Sequence, residues 1–156
     1  MSVETLVAEQ VMSRILVVVK PEESPLMAWE LMRRANVHHL PVVSRGHLLG
    51  VLSREDLAAA WSGGPWEQSG RQVGALLTGE RRPRVRPGTP LPRVAAVLAD
   101  SGCDALPVVG EHGLVGLITA SDVVAAVAGR RPRRNGTAGE VVTGMFHLEP
   151  VLPQES

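Results

Sequence analysis

Several things are scarce in this chain. Aromatic residues make up 3% of its 156 residues, with no tyrosine and one phenylalanine. Unpaired bases stack on aromatic faces, so single-stranded nucleic-acid binding is poorly supplied. The only cysteine is Cys103, which excludes an internal disulfide and fits a reducing cytoplasm. Lys+Arg and Asp+Glu are both 16, so no net charge draws the chain to nucleic acid or to an anionic membrane. No apolar run approaches the roughly 18 residues of a membrane helix. Met1 to Gln10 carries Glu4 and Glu9 and no basic start, so no signal peptide is expected. Of the histidines, His38 and His39 are adjacent, His47 and His112 fall in turns and His147 in the tail, which is not metal-ligand spacing. P-loop, nucleophile-elbow and His-Glu-x-x-His patterns are absent. The expectation is a cytoplasmic protein that is not an enzyme and holds no metal or prosthetic group.

What is present is a repeat. Apolar residues are 44% of the chain, enough for a real core. Leu40-Pro41-Val42-Val43 recurs as Leu106-Pro107-Val108-Val109, an offset of 66 positions. At the same offset Leu48-Leu49-Gly50-Val51-Leu52-Ser53 recurs as Leu114-Val115-Gly116-Leu117-Ile118-Thr119, Asp56 as Asp122 and Pro21 as Pro87. A constant offset without a gap means two copies of one structural unit.

Each copy reads alike. Ile15 to Val19 is a short β-branched run, a buried strand by pattern. Ser24-Pro25 has the form of a helix N-cap followed by proline at the first helical position. Ala28, Leu31, Met32 and Ala35 then keep the spacing of one helix face, as do Val94, Val97, Leu98 and Ser101 in the second copy. Strands over 39–43 and 48–52, joined by Ser44-Arg45-Gly46-His47, form a hairpin, and Ser53 caps a helix from Arg54 to about Ala60. The fold class is α+β, each unit strand–helix–strand–strand–helix. At about 55 residues neither copy buries much alone, so the two are expected to pack sheet to sheet around a shared core. The expected organisation is 7–60 for the first domain, 61–72 for a breaker-rich linker, 73–128 for the second domain and 129–156 for a tail. Val7 to Met12 matches Val73 to Thr78, each expected as a short helix leading into its unit. The tail echoes this segment at 138–143, which reads either as the start of a third unit or as a segment folding back onto the pair.

The repeated pattern resembles the CBS domain, which usually occurs as a tandem pair, the Bateman module. The resemblance rests on His39-Leu-Pro-Val-Val43, Leu49-Gly-Val-Leu-Ser-Arg-Glu-Asp56, Ala105-Leu-Pro-Val-Val109 and Val115-Gly-Leu-Ile-Thr-Ala-Ser-Asp122, and covers about 10–125. It implies two β-α-β-β-α units related by a pseudo-two-fold axis, a homodimer, and an adenosine ligand (AMP, ADP, ATP or S-adenosylmethionine) in clefts between the units. It further implies that Asp56 and Asp122 hold ribose hydroxyls and that Ser53 and Thr119 face the phosphate. The chemistry is sound. A carboxylate accepts from both hydroxyls of a diol, and free N–H groups at a helix start suit an anion. The ligand would act as a regulatory signal, passed in trans to an effector protein.

Another explanation accounts for the same residues. Ser-x-x-Asp is a helix cap with an acidic third residue near the positive end of the helix dipole, and this is compatible with ligand binding. Phosphate also needs cations. In the first copy His38, His39, Arg54 and Lys20 are candidates, with Arg86 at the place of Lys20 in the second, although adjacent strand residues face opposite sides, so His38 and His39 cannot both serve one ligand. The second copy has Asp104, Ala105 and Ala120 in place of the first three, so the two sites should differ. Two basic runs, Arg81–Arg86 and Arg130–Arg134, are expected as solvated loops, and Cys103, which aligns with Val37, as a core position. Trp61 and Trp66 flank the linker and are expected to pack. Two further functions are carried alongside the sensor: a ligand-free dimerising adaptor, and a small nucleotide hydrolase for which no paired base and nucleophile is visible.

Overall fold

The computed structural model describes residues 3–14, 16–77, 83–130, 141–143 and 147–148. In chain order the elements are α1 (Ala8–Val11), β1 (Leu16–Val18), α2 (Pro25–Ala35), β2 (His39–Ser44), β3 (His47–Ser53), α3 (Arg54–Ala60), α4 (Pro65–Ser69), α5 (Leu91–Ser101), β4 (Ala105–Gly110), β5 (Gly113–Thr119), α6 (Ala120–Val127), β6 (Val141–Thr143) and β7 (His147–Leu148), with single 3-10 turns at Val3–Thr5 and Val73–Leu76. The described residues fall into two compact units, each built on one repeat. The first-repeat unit holds 16–77 with 141–143 and 147–148, and the second-repeat unit holds 3–14 with 83–130.

The local signals act where the sequence places them. Ser24 Oγ accepts from Met27 N–H at 3.1 Å and Pro25 occupies the first position of α2. Asn36 ends that helix in the left-handed conformation (φ 54°), and Gly102 ends α5 at the equivalent position (φ 70°). The hairpin between β2 and β3 is tighter than the four-residue loop expected. Arg45 (φ 52°) and Gly46 (φ 78°) both take positive φ, the mirror-image turn whose twist matches the strands, so pairing runs on to Ser44 and His47. Both hairpins carry a register irregularity at the same place, between Val42 and Val43 and between Val108 and Val109. In each unit the residue after the first strand position lies parallel to the hairpin: Val19 N–H donates to Pro41 O at 3.0 Å, and Val85 N–H to Pro107 O at 3.0 Å.

Each unit has its own core. Val17, Val19, Ala28, Leu31, Met32, Leu40, Val42, Leu52 and Leu57 are buried together in the first-repeat unit, with Val73 from beyond the linker. Val85, Leu91, Val94, Leu98, Leu106, Val108 and Ile118 are buried in the second, with Ala8, Val11 and Met12 from the start of the chain. This corrects the expectation that each short helix leads into the repeat that follows it. The leading segment hydrogen-bonds into the second repeat, Ala8 N–H to Thr89 O and Glu9 N–H to Pro87 O, both at 2.9 Å. The segment after the linker bonds into the first, Val73 N–H to Glu23 O at 2.8 Å and Gly74 N–H to Pro21 O at 2.9 Å. Each core is thus completed by a segment that precedes the other repeat, which is how about 55 residues close over their apolar faces.

Glycine permits this. A Cβ on Gly116 would lie 2.9 Å from both Ser13 O and Met12 Cγ, while one on Gly50 would meet the Leu77 side chain at 3.0 Å. Ser13 and Leu117 exchange backbone hydrogen bonds at this crossing, 2.9 and 3.1 Å. The tail adds β6, parallel to β1 with Val17 opposite Val142, and β7 antiparallel to it. Of the two readings of the echo, the described part of the tail is a strand pair added to the first-repeat unit. The linker contains α4, whose Gln68 is buried and donates to Ser62 O. Trp61 ends α3 and packs on Trp29 (centroids 6.0 Å apart, tilted 59°), whereas Trp66 is 86% exposed and does not join the core, because α4 turns Gln68 inward and Trp66, two residues earlier, outward. Cys103 is partly buried against the second core. The basic runs lie largely outside the described residues, which include only Arg84, Arg86 and Arg130 of their arginines.

Candidate functional site

The candidate residues converge on one corner per unit, where the hairpin's second strand turns into a helix. In the first, Ser53 Oγ accepts from Asp56 N–H at 2.9 Å and Asp56 Oδ2 accepts from Ser53 N–H at 3.0 Å. In the second, Thr119 Oγ1 accepts from Asp122 N–H at 3.1 Å and Asp122 Oδ2 accepts from Thr119 N–H at 2.8 Å. Both are reciprocal capping boxes, so the helix-cap explanation of Ser/Thr-x-x-Asp is correct for both. It also fixes both carboxylates. Each spends one oxygen on the backbone, and for Asp122 Oδ2 is the only oxygen hydrogen-bonded among the described residues. Burial of the Asp122 carboxyl pushes its pKa above the ordinary aspartate value, and the two hydrogen bonds with Thr119 only partly offset this.

Register decides which histidine shares the corner. His39 lies directly opposite Ser53, and Arg54 N–H donates to His38 O at 2.9 Å, the bond that flanks a narrow, non-hydrogen-bonded pair. The side chains of such a pair share a face with Cβ atoms about 4.5–5.5 Å apart. His39 is therefore the neighbour of Ser53, and the exposed His38 contributes its carbonyl to the corner. The second corner repeats this backbone: Ala105 lies opposite Thr119, and Ala120 N–H donates to Asp104 O at 2.8 Å. Here the position of His39 holds Ala105, which is fully buried.

Arg54 follows the cap residue, and its guanidinium lies over the Trp29 ring, 5.5 Å from the centroid. Its Nε is buried and has no hydrogen-bond partner among the described residues. Sequence reasoning missed this anchoring, because Trp29 reaches Arg54 only through the packing of α2 beside α3. Lys20 is exposed and stands apart from the corner. Val19 lies level with Val42, so the backbone of Lys20 lies nearer the hairpin end of β2, about 13 Å along the strand from His39. No group of three or more His, Cys, Asp or Glu among the described residues has the arrangement of a metal site.

The sequence profile of the CBS domain matches this chain twice, over residues 7–63 and 80–129. The chain belongs to the CBS domain family. The solved structure of CBSX2 in complex with AMP superposes with a TM-score of 0.68 at 31% identity, covering 79% of this chain and 96% of that one. The CBS domain of a bacterial CNNM/CorC family Mg2+ transporter in complex with ATP superposes with a TM-score of 0.71 at 22% identity, covering 82% and 91%, and bears on the fold alone. Inosine-5'-monophosphate dehydrogenase of Korarchaeum cryptofilum is 32% identical over 117 residues, 74% of this chain and 23% of that enzyme. This CBS pair thus spans under a quarter of that relative's length. No helix among the described residues is long and apolar enough to cross a membrane.

Proposed function

We propose that this CBS pair is a regulatory module that binds an adenine nucleotide and passes the occupancy to an effector protein in trans. The observation that carries the reading is the duplicated capping box. It holds a carboxylate at a helix start in one orientation beside the cap hydroxyl, while the Ser53, Arg54 and Asp56 N–H groups are already engaged within the corner. Asp56 accepts from the ribose hydroxyls, and Ser53, with His39 and Arg54, takes the phosphate. Asp122 and Thr119 are the second pair. His38 and Lys20 are outlying candidates whose charges act at longer range. The 31% identical CBSX2 was solved in complex with AMP, which supports this ligand class. No catalysis is proposed: ligand binding shifts a conformational equilibrium by its difference in affinity for the two states. We take 7–60 and 73–128 as the sequence bounds of the two domains, each with its leading segment built into the other's structural unit, a homodimer as the assembly and the cytoplasm as the setting. The exposed Val124 and Val127, one turn apart on α6, support self-association.

The test is titration calorimetry with AMP, ATP and S-adenosylmethionine. A sensor of cellular nucleotide is expected to bind in the micromolar range, about −8 kcal/mol. Asp56→Ala should weaken AMP at least about 10-fold, because hydrogen bonds to a charged acceptor contribute about 1.5–3 kcal/mol each. Absence of heat with all three ligands would leave the alternative, a ligand-free dimerising adaptor, which the uncharged Ala105 and Ala120 of the second corner favour.

A further inference from the structure

The two corners share one backbone and differ in charge. The hydrogen bonds from Arg54 N–H to His38 O and from Ala120 N–H to Asp104 O, with the pairs His39–Ser53 and Ala105–Thr119, make positions 38, 39 and 54 equivalent to 104, 105 and 120. At these positions the first corner has His38, His39 and Arg54, and the second has Asp104, Ala105 and Ala120. All three are replaced, once by an acid and twice by a methyl group; the outlying Lys20 alone keeps its charge, as Arg86. Arg54 is held against Trp29 with a buried Nε that has no acceptor among the described residues, a donor suited to an incoming anion. In the second corner a phosphate would find the Thr119 hydroxyl, whereas the Thr119, Ala120 and Asp122 N–H groups are spent on Asp122 Oδ2, Asp104 O and Thr119 Oγ1, and the exposed Asp104 adds negative charge at longer range. Ala105 is fully buried and offers no polar group there.

We propose that the two corners select adenosine ligands of different charge: the first takes a 5′-phosphate nucleotide, and the second takes an adenosine derivative without phosphate. The selectivity-determining positions are His39 and Arg54 on one side and the uncharged Ala105 and Ala120 on the other, with Asp104, like His38, acting only at longer range. This rests on the reading that Asp56 and Asp122 hold ribose. A part-buried carboxylate at position 122, on a corner without a cation at positions 105 and 120, favours ligands that bring hydroxyl donors or positive charge and disfavours anions. A neutral nucleoside and a cationic sulfonium nucleoside share this chemistry, and the experiment separates them.

The experiment is calorimetry on the full chain with AMP, adenosine and S-adenosylmethionine, using the wild type, Asp56→Asn, Asp122→Asn and the double variant Asp104→His/Ala120→Arg, whose two positions are both exposed. Asparagine keeps an acceptor for the capping box, so both single variants should fold. AMP heat should vanish in Asp56→Asn and persist in Asp122→Asn. Adenosine or S-adenosylmethionine heat should show the opposite dependence, and whichever binds more tightly names the charge class. The double variant should gain AMP affinity at the second corner by at least about 10-fold, creating a second AMP equivalent. If AMP fills both corners of the wild type equally, or if the double variant gains nothing, the charge partition is wrong while the nucleotide reading stands. If none of the three ligands binds the wild type, both fail.

Discussion

The first and second repeats of this CBS pair agree in the backbone of hairpin and cap and differ in the charge they place at the corner where a ligand would sit. Both have the same hairpin irregularity, the same capping box and the same bond from the helix start to the residue before the hairpin. Paired positions of the two core clusters stay apolar, Leu40 with Leu106, Met32 with Leu98 and Leu52 with Ile118. Around the cap, by contrast, His39 becomes Ala105, His38 becomes Asp104 and Arg54 becomes Ala120. Packing constrains volume and apolar character, so the cores stay alike. The electrostatics of an exposed corner carries no such constraint, and there the two repeats are free to take up different tasks.

The glycine crossings provide the strongest way to break the equivalence of the two units. Ala at position 116 would press on Ser13 O, which is backbone held by two hydrogen bonds, whereas Ala at position 50 would press on the end of a flexible leucine. Gly116→Ala should cost about 2–3 kcal/mol in urea unfolding and Gly50→Ala under about 1 kcal/mol. Equal costs would mean that the leading segment is not held where Ser13 and Leu117 pair.

The caps sharpen the comparison from the other side. Ser53→Ala and Thr119→Ala should each cost about 1–2 kcal/mol, since each removes one cap acceptor of the same geometry. A gap of more than about 1 kcal/mol between them would show that the corners are not equivalent scaffolds.

The smallest effect is the pH response of the second corner. Asp122 has a folded-state pKa above its unfolded value because its carboxyl is buried. Stability linked to it is therefore fully present below the ordinary aspartate value and is lost as pH rises through the raised one. Measured against Asp122→Asn by denaturation at a series of pH values, the wild type should gain as pH falls through that window. No pH-dependent difference would contradict the burial argument.

Much of this was legible in the sequence, and the rest fails for physical reasons. A constant offset and the caps at Ser24, Ser53 and Thr119 are local patterns, so α2, α3 and the two Ser/Thr-x-x-Asp corners could be placed residue by residue. The reciprocal exchange of the leading segments could not. Val7–Met12 and its counterpart after the linker present similar apolar faces to similar repeats, and local periodicity does not say which repeat receives which. Sequence alternation said that His38 and His39 face opposite ways, but only the register opposite Ser53 selects His39. The stacking of Arg54 on Trp29 is tertiary and left no short-range signal.

Thermal unfolding with AMP tests the central claim most directly. A ligand that binds only the folded chain stabilises it by about 2.7 kcal/mol at 100 times its dissociation constant, roughly 5–10 °C for a chain of this size. Millimolar AMP should raise the melting temperature of the wild type by that order and leave Asp56→Asn unmoved. An unmoved wild type, or an equal rise in Asp56→Asn, would contradict the assignment of Asp56 as the residue that holds the nucleotide.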